Sequence, residues 1–190
     1  MRKLKLQVQM SVDGFICGPH GEMDWMIWNW DMALQDYVKN LTDTADCVVL
    51  GRKLAEGFIP HWASVAANPD TPEQAVGKLF TEIAKVVFTK TLEIAAWPNT
   101  VLAKGDLVNE ITSLKKQEGK DIMVYGGASF VSALIKNRLI DEFHLFMNPA
   151  ALGKGMPIFY DLETKLNLTL VKATSFECGM VVLHYVPKEV

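Results

Sequence analysis

The first ten residues alternate, with Leu4, Leu6, Val8 and Met10 on one side and Lys5, Gln7 and Gln9 on the other. That period of two predicts a strand with one buried face. Between Trp30 and Leu41 the apolar positions fall at Trp30, Ala33, Leu34, Tyr37, Val38 and Leu41, the three-four spacing of a helix laid on a core. Cys47 to Leu50 is a short apolar run closed by Gly51 and predicts a buried strand. The stretch from Ile59 to Pro72 holds three prolines and no period, which reads as loop. It ends in Thr71-Pro72-Glu73-Gln74, a capping box with proline at the first helical position, and predicts a helix through Ile83.

The same alternation of elements continues. Val86 to Thr89 and Val101 to Ala103 predict strands on either side of a turn-rich piece around Pro98. Leu107, Val108, Ile111 and Leu114 repeat at helical spacing, with Gly119 as a C-cap. Ile122 to Tyr125 predicts a buried strand, Gly126-Gly127 a tight turn and Ser129 to Asn137 a helix. Phe143, Leu145 and Met147 alternate with their neighbours, and two further runs, Leu166 to Phe176 and Met180 to Val186, meet at Glu177-Cys178-Gly179 as a hairpin. Strands alternating with helices and closing on a hairpin imply an α/β fold: a mainly parallel central sheet with an antiparallel C-terminal edge. No repeat, low-complexity tract or linker interrupts the chain, so residues 1–190 read as one domain.

Composition narrows the function classes. A formal net charge of -3 and the lack of any basic run argue against nucleic acid as a partner. No apolar stretch has the length of a membrane span, and the charged start alternates instead of forming a signal-peptide core. Cys17, Cys47 and Cys178 are odd in number and widely spaced, which suggests neither disulfides nor zinc and places the chain in the cytoplasm. His20, His61, His144 and His184 share no metal-ligand spacing, and no hydrolase or metalloprotease motif occurs.

Chemistry concentrates at three strand ends. In IMVYGGASFVSALI, residues 122 to 135, Gly126 and Gly127 separate a strand from the predicted helix, with Ala128, Ser129 and Phe130 directly after the pair. Glycines there allow close backbone approach, and the helix start offers unpaired N–H groups for a pyrophosphate; a sharp turn alone would also use them. In VVLGRKLAEGF, Gly51 is followed by Arg52 and Lys53, opening a short helix. Cations at a helix start oppose its dipole, so an anion would account for them, as would a solvated basic pair. The third end supplies Thr89, Lys90 and Thr91. Open α/β sheets bind ligands beyond such carboxyl ends.

Taken with QMSVDGFICG, MDW at 23–25, VVFTKTL and DEFHLFMNPAALGKGMPIF, these pieces resemble the dihydrofolate reductase-like family. Within it they resemble the C-terminal reductase domain of the bifunctional riboflavin-biosynthesis deaminase-reductases. The resemblance implies a three-layer sandwich, NADPH as cofactor, a small-molecule substrate and a homodimer. It places Gly51, Arg52 and Lys53 at the pyrophosphate and 2′-phosphate, Thr89, Lys90 and Thr91 near the adenosine, and Gly126 to Phe130 along the pyrophosphate. Val12, Asp13 and Ile16 would flank the nicotinamide, although Asp13-Gly14 also reads as a plain turn. Trp25 would wall the substrate cleft, or else be a core aromatic.

The implied reaction is reduction of 5-amino-6-(5-phosphoribosylamino)uracil or a similar heterocycle. Dihydrofolate reductases carry an acid early in the first helix, where this chain has Gln35; Asp36 stands next to it and is the candidate proton source, water being the other, while Asp31 lies a turn earlier. A dihydrofolate or pterin reductase, a flavin-dependent protein and a non-catalytic NADPH-binding module are the alternatives.

Overall fold

A computed structural model describes residues 1–188; residues 189–190, the end of the expected domain, lie outside the described residues. The alternating start forms β1 (Leu4–Met10), and a turn leads to a short β2 (Phe15–Cys17). Then come α1 (Met32–Thr42), β3 (Ala45–Gly51), α2 (Arg52–Ala67), α3 (Gln74–Glu82), β4 (Ala84–Phe88) and β5 (Thr100–Ala103). The remainder is α4 (Leu107–Lys116), β6 (Asp121–Val124), α5 (Ala128–Lys136), β7 (Glu142–Met147), β8 (Met156–Pro157), β9 (Leu168–Ser175) and β10 (Val181–Pro187).

Eight strands form one sheet in the order β5-β4-β3-β6-β1-β7-β10-β9. Every neighbouring pair from β5 to β7 is parallel, and β10 and β9 add antiparallel to the β7 edge. This is the expected α/β fold with its C-terminal hairpin, whose turn closes at Gly179 (φ +92°) through Gly179 N–H to the Phe176 carbonyl.

The period of β1 sorts the layers. Leu4, Leu6, Val8 and Met10 pack with Ile111 of α4 and with Val131, Leu134 and Ile135 of α5 on one face. The opposite face carries α1, α2 and α3: Leu41, Ala55, Ile59 and Phe80 meet Val48 and Leu50 of β3, and Leu34 meets Phe146 and Val182. Apolar burial at about 25 cal/mol per Å² supplies the driving force for both layers.

Three local expectations differ. Residues 59–67 are helical, not loop, because α2 runs through Pro60. That proline is exposed, so the Glu56 carbonyl it leaves without an intrahelical partner sits on the watered side. The helix after the prolines begins at Gln74 with Glu73 as N-cap and no side-chain cap; Thr71 Oγ1 accepts from Glu73 N–H at 3.4 Å, so the capping box does not form. Gly119 is not the C-cap of α4, which ends at Gln117; it sits where a Cβ would strike Asp46. The two-stranded β2–β8 ladder was not expected, since each partner is too short for a period to show.

Candidate functional site

The winding of the chain creates a crevice. After β3 the chain leaves through α2 to one face, and after the adjacent β6 it leaves through α5 to the other. Adjacent strands whose helices diverge leave a gap beyond their carboxyl ends, the usual ligand position in such sheets. Val49 is in register with Val124, so Gly51 and Gly126 stand side by side at this gap.

Both helices that start here are glycine-capped. Gly51 caps α2 and Gly127 caps α5, neither with a side-chain bond, whereas Asp31 and Asp106 cap α1 and α4 through Leu34 N–H and Asn109 N–H. The first intrahelical bond of α5 is Val131 N–H to the Gly127 carbonyl, which leaves the amides of Ala128, Ser129 and Phe130 outside the helix ladder. A Cβ on Gly51 would lie 3.0 Å from Phe130 Cβ, so the two helix starts touch with room only for backbone. Gly126 and Gly127 take φ of +150° and +83°, conformations that side chains disfavour. Such a cradle of free amides and positive helix ends suits a diphosphate.

The neighbouring cations are partly committed. Arg52 pairs with Glu56 at 2.7 Å, and Lys90 Nζ donates to the carbonyls of Lys104 and Gly105 at 2.8 and 2.9 Å. Lys53 is exposed and makes no ion pair among the described residues. Thr89 is buried, and its Oγ1 accepts from Thr91 N–H and Leu92 N–H, folding this strand end into a tight turn. Phe88 and Phe130, with ring centres 5.0 Å apart, form the wall between the turn and the crevice.

At the end of β1 the side chains do structural work. Asp13 is more than a turn residue: its carboxylate accepts from Leu152 N–H and Gly153 N–H, tying the β1–β2 turn to the loop after β7. The Ser11 hydroxyl, and then those two amides, hold its carboxyl down at about 2. Ile16 is buried in the core, while Val12 stands exposed at the rim. Trp25 belongs to none of the core clusters; it is partly exposed and donates Nε1–H to the Glu22 carbonyl. Met23, Trp28 and Met32 are exposed as well, so the segment from residue 12 to residue 32 forms an apolar rim.

Asp36 is exposed on α1, about 200° round the helix from buried Leu34 and one turn on from exposed Met32. Asp31 is committed to Leu34 N–H and to Cys178 N–H, and Gln35 to the Trp30 carbonyl. The residue that sequence reasoning missed is Asn148, fully buried, whose Oδ1 accepts from Ile27 N–H while Nδ2 donates to Gln9 Oε1 and the Phe146 carbonyl. The polar positions of β1 were a visible signal, because Gln7 and Gln9 point to the α1 layer, where a half-exposed glutamine needs partners.

Comparison with known proteins gives the family and the fold. Residues 2–182 match the family described as the RibD C-terminal domain. The chain is 35% identical over 187 residues to the uncharacterized protein YyaP of Bacillus subtilis (strain 168), covering 97% of this chain and 94% of that one. Its fold superposes on a diaminohydroxyphosphoribosylaminopyrimidine deaminase/5-amino-6-(5-phosphoribosylamino)uracil reductase from Thermotoga maritima with a TM-score of 0.69 at 17% identity, over 98% of this chain and 57% of that one. It also superposes on dihydrofolate reductase from Enterococcus faecalis complexed with NADP(H), with a TM-score of 0.64 at 16% identity and coverage of 98% and 97%. The fold is therefore dihydrofolate reductase-like, and by the match along nearly its whole length the chain belongs to the RibD C-terminal domain family.

Proposed function

We propose that the chain is an NADPH-dependent reductase acting on a small heterocycle related to 5-amino-6-(5-phosphoribosylamino)uracil. The observation that carries this is the pair of glycine-capped helix starts in the β3–β6 crevice, a backbone cradle that a single Cβ would fill. The family and the titles of the matched reductases support the same reaction class. When bound, NADPH would supply the reducing equivalent. The residues of the chain bind and orient: the amides of Ala128, Ser129 and Phe130 hold the diphosphate, and Lys53 meets the 2′-phosphate. Arg52 joins it by exchanging Glu56 for the phosphate, and Thr89 to Thr91 border the adenosine. Val12, Ile16 and Trp25 flank the flat reacting rings.

Gln35 stands where dihydrofolate reductases carry their acid, which separates this reading from a dihydrofolate reductase and leaves the substrate proton to Asp36, one helical turn on from Met32, or to solvent. The same observation favours, as a second reading, a module that binds NADPH without turnover. Consumption of NADPH with the uracil substrate in a steady-state assay distinguishes the two.

Binding titrations test the cofactor. A charge-assisted phosphate contact contributes roughly 1.5–3 kcal/mol, so NADPH should bind at least about tenfold more tightly than NADH. Lys53→Ala should erase most of that preference, and Gly51→Val should weaken both cofactors. Equal affinity for the two in the wild-type chain refutes the assignment.

The proposal includes a homodimer in the cytoplasm. The outermost strand β9 exposes Leu170 and Val171 at 50% and 54%, apolar edge surface that twofold pairing would cover. Light scattering should give twice the chain mass, and a monomer at micromolar concentration counts against it.

A further inference from the structure

Beneath α1, away from the β3–β6 crevice, strands β7 and β10 carry two histidines and a carboxylate that the proposed reaction does not use. Glu142 and His144 lie two residues apart on β7 and so share a face, and His184 of β10 pairs with His144 in register. The two imidazoles stack with centres 4.2 Å apart and planes 16° from parallel. The His144 side chain is 5% exposed, and Nε2 of both rings is buried without a hydrogen-bond partner. Both nitrogens lie near one atom, Glu142 Oε2, at 3.5 and 3.6 Å. Those separations are too long for good hydrogen bonds, and two orphaned nitrogens on one oxygen call for something between them.

We propose that Glu142, His144 and His184 form a binding site for a first-row divalent transition cation, zinc being the best match to two imidazoles and a carboxylate. A tetrahedral ion about 2.0–2.1 Å from each ligand separates the ligands by about 3.3–3.4 Å. The observed separations to the carboxylate come within a few tenths of an ångström of that, and binding would turn the two near-parallel rings apart so that both Nε2 lone pairs meet the ion.

The surrounding shell fits. Tyr37 Oη lies 2.8 Å from His144 Nδ1, so a proton on Nδ1 shared with the phenol frees Nε2 as a ligand. Lys3 Nζ holds the other oxygen, Glu142 Oε1, at 2.7 Å, leaving Oε2 for the ion. Lys5 Nζ, 3.7 Å from Oε2, opposes a cation, but its closer partners are Asp121 at 2.9 Å and Thr44 at 3.0 Å. Three protein ligands from two strands leave a fourth position for water. The ion would fasten the antiparallel edge of the sheet to its parallel part.

The test uses the full chain stripped with chelator and titrated with Co²⁺, then Zn²⁺. One equivalent of Co²⁺ should give the visible absorption of a tetrahedral centre, Zn²⁺ should displace it, and either ion should raise the thermal midpoint. His184→Gln and His144→Gln should abolish the signal, Tyr37→Phe should weaken binding about tenfold, and His20→Gln with His61→Gln should leave it unchanged. Circular dichroism establishes folding; if His144→Gln does not fold, His184→Gln, whose side chain is 20% exposed, decides. Absence of saturable uptake by the folded wild-type chain, or unchanged uptake in His184→Gln, overturns the proposal.

Discussion

Two glycines of the crevice act by different physics. Gly51 has an ordinary φ of -73°, and what bars a side chain there is Phe130 Cβ. Gly127 is the reverse: a Cβ would meet nothing closer than 3.8 Å, but φ +83° strains any other residue. Substitution at Gly127 therefore costs stability whether or not a nucleotide binds, and Gly51 is the cleaner probe of the cradle. Asp13 gives a pH signature at the same scale. Its carboxyl is held at about 2, below the ordinary 3.8, so the tie to Leu152 and Gly153 is complete above roughly pH 4 and is lost as the pH falls towards 2. The backbone amide shifts of Leu152 and Gly153 should titrate together with a midpoint of about 2 by NMR and stop titrating in Asp13→Asn. A midpoint near 4 would show that the amides do not hold the carboxylate.

At the scale of elements, the packing of α2 on α3 rests on one missing side chain. A Cβ on Gly77 would lie 2.6 Å from the Ala66 backbone nitrogen, well inside contact. Alanine there gains up to about 1 kcal/mol of helix propensity but forces two backbones apart, at about 1–3 kcal/mol. The steric effect should win, so Gly77→Ala should lower the urea midpoint; a rise would mean that α3 shifts freely. This pair is also where the sequence was least legible. Pro60, Pro69 and Pro72 masked the helix because a proline's cost depends on whether its face meets water, which composition does not reveal. Gly126-Gly127, by contrast, was legible, since a strand that ends in two glycines before an apolar helix leaves few geometries open. The acid of α1 was less legible for a related reason: Gln35 and Asp36 differ by about 100° round the helix, and spacing alone does not tell which of them turns to a ligand.

Over the whole molecule, two rims meet at the carboxyl edge of the sheet, and they are held by different means. The β3–β6 crevice is framed by helix starts that pack directly against strand ends. The apolar rim at residues 12–32 has little regular structure and is fixed to the sheet by few bonds. Asn148 is central among them, receiving Ile27 N–H and reaching Gln9 on β1 while its own N–H binds the Met10 carbonyl. Asn148→Ala removes the side-chain bonds and leaves Ile27 N–H and Gln9 Oε1 without these partners. Both groups are half-buried, so the cost should lie at the lower end of the roughly 1–3 kcal/mol of an unsatisfied buried group, and the thermal midpoint should fall by a few degrees. The loss should be local: amide exchange should accelerate at residues 23–30 while strands β3 and β6 stay protected. On the proposed function, in which NADPH binds at the crevice and the substrate against this rim, NADPH affinity should then change less than twofold, while turnover of the uracil substrate should fall. Equal losses of cofactor affinity and turnover would mean that the two rims are one cooperative unit, and that Asn148 supports the nucleotide site as much as the substrate side.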